Sequence, residues 1–326
     1  QETMIKELKG SPCLGYKKLR LKKTNQKKEE LPMKKRLTNN SINFNGKVVK
    51  ICIDVHKISW IVTALVEGEV VKAVTIKPSY SVLKKVLSEF KGARIRIAYE
   101  AGPAGFSLYD ELTADHMECM VVPPSLIPVE SGNRVKTDKK DSTKLAHYLE
   151  HNLLKRVWVL SKQERAHRQL LRTRRQISNH RSNVMRQIKS LLLFHGIHSP
   201  YEGPQIWTKS FVKWLRSING DQYIVHSLNI LVELYEYLTQ QVKQLTEEVI
   251  QLAGTEKYAH RIPLLTSIPG IGVLSATEML VELQDVSRFR SAAQLSAFMG
   301  VTPSQYSSGE RVRMGSITHL GLSLIH

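Results

Sequence analysis

The chain has 326 residues, of which 42% are hydrophobic and 7% aromatic, and its 48 lysines and arginines outnumber 29 acidic residues for a formal charge of +19. This composition indicates folded domains and excludes a wholly disordered chain. The charge favours a polyanionic partner, because each neutralised phosphate releases counterions. A basic protein that binds no nucleic acid and an anionic membrane surface are the alternatives. No apolar run approaches the ~18 residues that a membrane span needs.

The three cysteines, Cys13, Cys52 and Cys119, are few and widely spaced. They indicate a reducing compartment and favour neither a disulfide framework nor a zinc site. Residues 1–46 are rich in lysine with little apolar periodicity, and we interpret them as a basic disordered arm. The chain begins at Gln1, so Met33 is a candidate for the natural start.

The segment 47–155 is predicted to alternate strands and helices. β-branched runs predict the strands, and apolar residues at helical spacing predict the helices. In chain order they are the strands "VVKICID", "SWIVTALV" and "VVKAVTI", the helix "SYSVLKKVLSEFKG", the strand "RIRIAYE", the helix "GFSLYDELTAD", the strand "ECMVVPP" and the helix "TDKKDSTKLAHYLEH", with Thr137 as its N-cap. This order predicts an α/β domain with a mixed sheet sandwiched by helices.

The segment 156–258 is predicted to be helical, because apolar residues recur every seventh position in two stretches. These residues are Leu170, Ile177, Val184 and Leu191 in the first stretch, and Leu231, Leu238, Leu245 and Leu252, interleaved with Leu228, Tyr235, Val242 and Val249, in the second. Such a seam predicts either an antiparallel helical hairpin or a dimerising coiled coil.

The segment 259–326 is predicted to be a small, mainly helical domain. Pro269-Gly270-Ile271-Gly272 stands between two apolar helical stretches. Glycines there let backbone amides face an anion, as in a helix-hairpin-helix DNA element, and a tight packing turn is the alternative. The following "GVTPSQYSSGERVRMGSITHLG" is polar and rich in glycine, so we expect it to be largely loop.

Four carboxylates are candidates for a metal site. Asp54 and Glu100 each end a predicted strand, and would meet at one edge of the sheet if those strands are neighbours. Asp138 and Asp141 lie three residues apart on a helix and share a face. A turn cap at Asp54 and an acidic helix start at Asp138 are the structural alternatives. Together the four would suit a pair of Mg²⁺ ions, which prefer oxygen ligands and substrate phosphate.

The motifs "IDVHK", "AYEAGP" and "RVKTDKKDSTKLA" resemble those of the RuvC-like DEDD transposases of bacterial insertion sequences. That family includes the Piv-type invertases and the recombinases guided by a bridge RNA. "LLTSIPGIGVLSATEMLVEL" and "FRSAAQLSAFMGVTPSQYSSGERVRMGSIT" resemble its C-terminal transposase domain. The resemblance covers about 48–321.

The resemblance implies an RNase H-like fold in which Asp54, Glu100, Asp138 and Asp141 bind Mg²⁺. It also implies that a serine attacks the scissile phosphate and forms a covalent 5′-phosphoserine link at the DEDD site of another subunit. Ser308 matches that serine, Ser307 is the neighbour most easily confused with it, and an ordinary Ser-Gly turn is the alternative.

Further contacts with nucleic acid would come from Gly270, Gly272, Arg311 and Arg313, although an exposed basic loop is an alternative for the two arginines. The implied partners are DNA, an element-encoded guide RNA and further copies of the chain, as a dimer or tetramer. The implied location is the bacterial cytoplasm, at the nucleoid.

The sequence departs from the family pattern at the C-terminus, where Leu322 follows Gly321 and the chain stops at His326. Relatives continue into further helices, so we expect a C-terminally truncated domain. Three functions follow as hypotheses: a transposase that uses serine, a RuvC-like junction nuclease that uses metal-activated water, and an inactive DNA- or RNA-binding remnant.

Overall fold

The computed structural model describes residues 43–128, 138–201, 207–309 and 311–317, with only the backbone described for 138–140. The predicted cap Thr137 and residues 1–42 of the predicted arm 1–46 lie outside these residues, whereas Phe44, near the end of that arm, is buried against Phe90. The chain divides into two compact units after Val157. Among the described residues, no helix combines the length and the apolar character needed to cross a membrane.

The first unit is built on a mixed five-stranded sheet in the order β3-β2-β1-β4-β5. β1 pairs antiparallel with β2 and parallel with β4, β2 pairs antiparallel with β3, and β4 pairs parallel with β5. The strands are β1 (Val48–Val55), β2 (Trp60–Val66), β3 (Glu69–Ile76), β4 (Arg94–Glu100) and β5 (Glu118–Val122), and the helices are α1 (Tyr80–Leu87), α2 (Ser107–Ala114) and α3 (Asp138–Glu150). This is the predicted β-β-β-α-β-α-β-α order, and it is consistent with an RNase H-like domain.

The core of the first unit follows from residue type and spacing. Ile51, Cys52 and Ile53 in the centre of β1 are fully buried, because the sheet is covered on both faces. One face packs against α3 through Leu145, Ala146 and Leu149, whose spacing puts them on one side of the helix. These residues contact Cys52 of β1, Leu65 of β2, Ala98 of β4 and Val122 of β5.

The second unit is mainly helical and ends in a two-stranded hairpin. Its elements are α4 (Lys162–Phe194), α5 (Lys209–Ser217), α6 (Gln222–Ala253), α7 (Glu256–Ala259), α8 (Ile262–Thr266), α9 (Val273–Leu283), α10 (Ala292–Met299), β6 (Pro303–Ser308) and β7 (Arg311–Ile317). α4 starts with a capping box between Ser161 and Glu164.

The two long helices pack antiparallel. Residues near the end of α4, including Ile188, share a cluster with Leu228 near the start of α6. Leu171 near the start of α4 shares another with Val249 near the end of α6. The structure therefore contains the antiparallel arrangement, and dimerisation through these helices stays a prediction.

A buried carboxylate ties α9 to α4. The side chain of Glu282 is only 2% exposed, and its two oxygens lie 2.8 Å from Arg168 Nε and 3.3 Å from Arg172 Nε. Burial lowers the pKa of the Arg168 guanidinium, and the charge of Glu282 opposes that shift. Removing one member of such a pair leaves an uncompensated charge away from water.

We expect Glu282→Ala to lower the free energy of unfolding by about 3 kcal/mol. Urea denaturation followed by circular dichroism measures the change. Glu278→Ala is the matched control, because Glu278 pairs with Arg175 at 3.5 Å and is more exposed. A loss from Glu282→Ala no greater than that of the control would contradict a structural role for this pair.

Candidate functional site

Asp54 and Glu100 lie at adjacent strand ends, as the sequence predicts. The last registered pair between the parallel strands β1 and β4 joins Ile53 to Tyr99, and the two carboxylates follow directly. Cys52 and Ala98, two residues earlier, both contact the α3 cluster. Since alternate residues of a strand point to the same face, Asp54 and Glu100 belong to the face that α3 covers.

The direction of α3 brings its first turn to the same end of the sheet. Lys50 Nζ of β1 lies 2.6 Å from Glu150 Oε1 at the end of α3, so the helix runs opposite to β1. Ser142 is level with Thr63, the register partner of Cys52. Asp138 lies four residues before Ser142, a rise of about 6 Å along the helix, and Asp54 lies two residues after Cys52, also about 6 Å along the strand. Because the helix and the strand run in opposite directions, the backbone of Asp138 is about level with Asp54. Asp141 precedes Ser142 directly.

A buried hydrogen bond fixes this helix on the sheet. Thr63 Oγ1 and Ser142 Oγ are 2.8 Å apart, and both residues are almost fully buried. Burying a hydroxyl costs free energy unless it is paired, so the bond specifies one register for α3. That register determines how Asp141 stands relative to the ends of β1 and β4.

Thr63→Val is therefore expected to lower the free energy of unfolding by about 1–2 kcal/mol, because the Ser142 hydroxyl loses this buried partner. Thermal unfolding measures the change. The double variant Thr63→Val/Ser142→Ala should recover much of the loss, since removing both hydroxyls leaves neither short of this bond. Additive losses in the double variant would show that the bond does not couple the two residues.

His56 is a member of the site that sequence reasoning missed. Its Nε2 lies 3.0 Å from Asp54 Oδ2, where an imidazole N–H donates to the carboxylate. The contact orients the carboxyl plane of Asp54. The i, i+2 spacing of the two residues was the available signal, because such residues lie on one side of an extended chain.

The donors at this end of the sheet are of the kind that a hard divalent cation requires. Asp54, Glu100 and Asp141 carry carboxylate oxygens, and the side chain of Asp138 lies outside the described residues. Among the described side chains, no three His, Cys, Asp or Glu stand close enough together to hold a metal ion. The chemistry of the donor set fits a metal, but the structure does not gather Asp54, Glu100 and Asp141 into a metal site.

The two described cysteines take no part in this chemistry. Burial raises the pKa of the Cys52 thiol well above its ordinary value and raises that of Cys119 to about 12. Both thiols therefore stay protonated near neutral pH, and a protonated thiol is neither a nucleophile nor a good metal ligand.

The glycines Gly270 and Gly272 lie in the turn between α8 and α9, as predicted. Gly270 has φ of +91°, which favours glycine, and Gly272 is the N-cap of α9 without a side-chain cap. A Cβ added to either glycine would meet no atom within 4 Å. Both glycines therefore have open space beside them.

Ser308 is the last residue of β6, in a segment where the sequence led us to expect loop. β6 and β7 form an antiparallel hairpin with the registered pairs Ser308–Arg311, Ser307–Val312, Tyr306–Arg313 and Gln305–Met314. Every described residue of the two strands is exposed. The loop prediction was wrong because cross-strand hydrogen bonds hold this hairpin, whereas our strand criterion required alternating apolar side chains.

A mixed sheet with acidic residues at the adjacent ends of β1 and β4, followed by helices, is consistent with the RNase H-like domain of the DEDD transposases. Residues 51–196 match the DEDD transposase model, and residues 262–325 match the model described as the transposase IS116/IS110/IS902 family. The chain belongs to the IS110/IS116 family of transposases. Domains of this class typically use a divalent metal ion.

Relatives with curated names agree with this assignment. A putative transposase of Sinorhizobium fredii is 30% identical over 244 residues, which is 74% of this chain and 58% of the relative. The transposase for insertion sequence element IS1533 of Leptospira borgpetersenii is 25% identical and covers 73% of this chain and 70% of the relative. The pilin gene-inverting protein of Moraxella bovis is 34% identical over 89 residues, or 26% of this chain and 28% of the relative. The chain thus spans under two thirds of the first of these relatives.

Proposed function

We propose that this protein cuts and rejoins DNA at the ends of an insertion sequence, by Mg²⁺-dependent phosphoryl transfer with Ser308 as the nucleophile. The observation that carries the proposal is the placement of Asp54 and Glu100 at the adjacent ends of β1 and β4, on the face covered by α3. Both domain models of the family match the same chain, one over the carboxylates and one over Ser308.

The carboxylates Asp54, Glu100, Asp138 and Asp141 would hold the metal. Bound Mg²⁺ would neutralise charge on the scissile phosphate and lower the barrier to attack on it. The role of the protein's own residues is to hold these ligands in place. Thr63 fixes α3 through its hydrogen bond with Ser142, and His56 orients Asp54. A rigid ligand shell matters because small displacements of the reacting groups cost large factors in rate.

The proposed step at Ser308 is a transesterification. The Ser308 oxygen attacks phosphorus and loses its proton to a base, while the bond from phosphorus to the 3′-oxygen breaks and that oxygen gains a proton. The product is a 5′-phosphoserine, and attack by a 3′-hydroxyl reverses the step and rejoins DNA. Because the bond energy is conserved in the covalent link, rejoining needs no external energy source. Serine is a weak nucleophile at its ordinary pKa and needs activation.

The choice of Ser308 over Ser307 is supported by the hairpin register. Ser307 points to the opposite face, where its hydroxyl oxygen accepts a hydrogen bond from Gln305 Nε2 at 2.8 Å. Ser308 shares its face with Arg311 and Arg313, two cations suited to a phosphate. A hydroxyl that is already hydrogen-bonded, on the face opposite Arg311 and Arg313, is the poorer candidate of the two.

The proposed partners are DNA, an element-encoded guide RNA and further copies of the chain. α4 supports binding of a polyanion, because its 33 residues include nine Lys and Arg and a single acidic residue, Glu164, although Arg168, Arg172 and Arg175 pair with acidic residues of α9. We propose that Gly270 and Gly272 present backbone amides of the turn before α9 to a phosphate of the DNA.

A trap for the covalent intermediate tests the function. The purified chain is incubated with Mg²⁺, end-labelled DNA carrying the element's junction and RNA transcribed from its flank, then run on a denaturing gel. We expect a labelled protein band that needs the metal and disappears with EDTA. Absence of the band, when a longer relative gives one in the same mixture, would contradict activity of this chain and favour a nucleic-acid-binding remnant.

A further inference from the structure

The hairpin formed by β6 and β7 has two chemically different faces. In an antiparallel ladder, residues paired in register point to the same face, and neighbours along a strand alternate. One face therefore carries Ser308 and Arg311 together with Tyr306 and Arg313. The other carries Ser307, Val312, Gln305 and Met314. We call the first the Tyr306 face and the second the Val312 face.

On the Tyr306 face, Tyr306 itself packs in no core and takes no part in the proposed attack by Ser308. Its side chain is 82% exposed, the most exposed of the described hairpin's large hydrophobic side chains. An exposed aromatic ring adds nothing to a core, and it leaves the π-faces of the ring in contact with solvent. Ser308, Arg311 and Arg313 stand on the same face, and the exposure of Tyr306 leaves most of its ring accessible to a planar ligand.

The neighbourhood of Tyr306 keeps that space free. Ser304 approaches Gly315 so closely that a Cβ at Gly315 would collide with Ser304 Oγ. Since residue 315 is a glycine, no side chain at that position covers the ring. Two cations stand on the same face as the ring. Arg313 is the register partner of Tyr306, and Arg311 lies two residues before Arg313 on the same strand.

We propose that Tyr306 stacks on an unpaired base beside the phosphate that Ser308 attacks, while Arg311 and Arg313 bind the flanking phosphates. This inference rests on the proposed function and adds the ligand's form to it, a single-stranded nucleotide. An exposed aromatic ring interleaved with cations is the surface that binds single-stranded nucleic acid, because every base has a π-face and every nucleotide a phosphate. A base-paired duplex offers no free π-face for such stacking.

The test uses the full chain and a single-stranded oligonucleotide of the element's end, with the fluorescent base 2-aminopurine placed at each position in turn. Stacking on an aromatic ring quenches this base. We expect quenching at one or two adjacent positions, which Tyr306→Ala abolishes with about tenfold weaker binding. Tyr306→Trp should retain both, and Ser308→Ala should leave the quenching unchanged.

The matched control is Val312→Thr, which alters an exposed residue of the Val312 face while keeping the β-branched shape. It should leave quenching and affinity as in the unmodified chain. Arg311→Ala and Arg313→Ala should each reduce the slope of log affinity against log salt by about 1. Quenching that survives Tyr306→Ala, or that falls equally with Val312→Thr, would overturn the proposal.

The outcomes separate this inference from the proposed function. Tyr306-dependent quenching without a covalent band would support the stacking surface and contradict the serine chemistry. A covalent band in a chain whose quenching ignores Tyr306 would support the chemistry and overturn the stacking surface.

Discussion

Ser308→Ala should abolish the covalent protein–DNA band while leaving salt-dependent DNA binding intact. The substitution removes the only atom that can form the phosphoserine in the proposed step, and alanine at the end of an exposed strand disturbs no packing. The loss should exceed about a thousandfold, or about 4 kcal/mol in the barrier. Single-turnover reactions with end-labelled junction DNA, resolved on denaturing gels, measure it.

Ser307→Ala is the matched control for this prediction, because it removes a neighbouring hydroxyl from the Val312 face. We expect its covalent band to persist at a rate within a few-fold of the unmodified chain. A band lost with Ser307→Ala and kept with Ser308→Ala would reverse the assignment. Cleavage without a band that survives both changes would instead identify a nuclease that uses metal-activated water.

Asp54→Asn should reduce strand cleavage by a similar factor, at least about a thousandfold at saturating Mg²⁺. Asparagine has the same shape and still offers an oxygen, but it lacks the negative charge that holds a divalent cation. The side chain of Asp54 is 21% exposed at the end of β1, so the exchange should cost little stability. Cleavage rates over a Mg²⁺ titration, with Mn²⁺ as a second metal, measure the effect.

Glu111→Gln is the control for Asp54→Asn, since it removes one negative charge from an exposed position of α2 away from the candidate site. Its cleavage rate should match that of the unmodified chain. Asp141→Asn should behave like Asp54→Asn if both are ligands of the metal. Full cleavage by Asp54→Asn in a folded protein would exclude this carboxylate from the chemistry.

Much of the first unit could be predicted from local sequence. β-branched runs and helical spacing gave the order of its strands and helices, because each element satisfies its own hydrogen bonds and buries its own apolar side. The seam of α6 was also predictable, and Leu228, Tyr235, Val242 and Val249 are all buried. In α4 the buried residues include Leu171 and Leu192, which lie three heptads apart and each one position beyond its predicted neighbour, because a helix face that packs against a partner is wider than a single heptad position.

The C-terminal hairpin was missed because both its faces meet solvent. Alternation of apolar and polar residues arises only when one face of a strand is buried, and none of the described residues of β6 and β7 is. The contact between His56 and Asp54 was missed for a different reason. Their i, i+2 spacing was visible in the sequence, but histidines were considered only as metal ligands.

The sequence alone determined the composition of the candidate site: which carboxylates end strands, which lie on α3, and which serines precede Gly309. These are properties of neighbours along the chain. Only the tertiary structure decided that β1 lies beside β4, that α3 runs opposite to β1, and that Ser308 and Ser307 face opposite sides. Strand order, helix direction and ladder register depend on contacts between residues far apart in sequence, and the energy of those contacts exists only once the chain has folded.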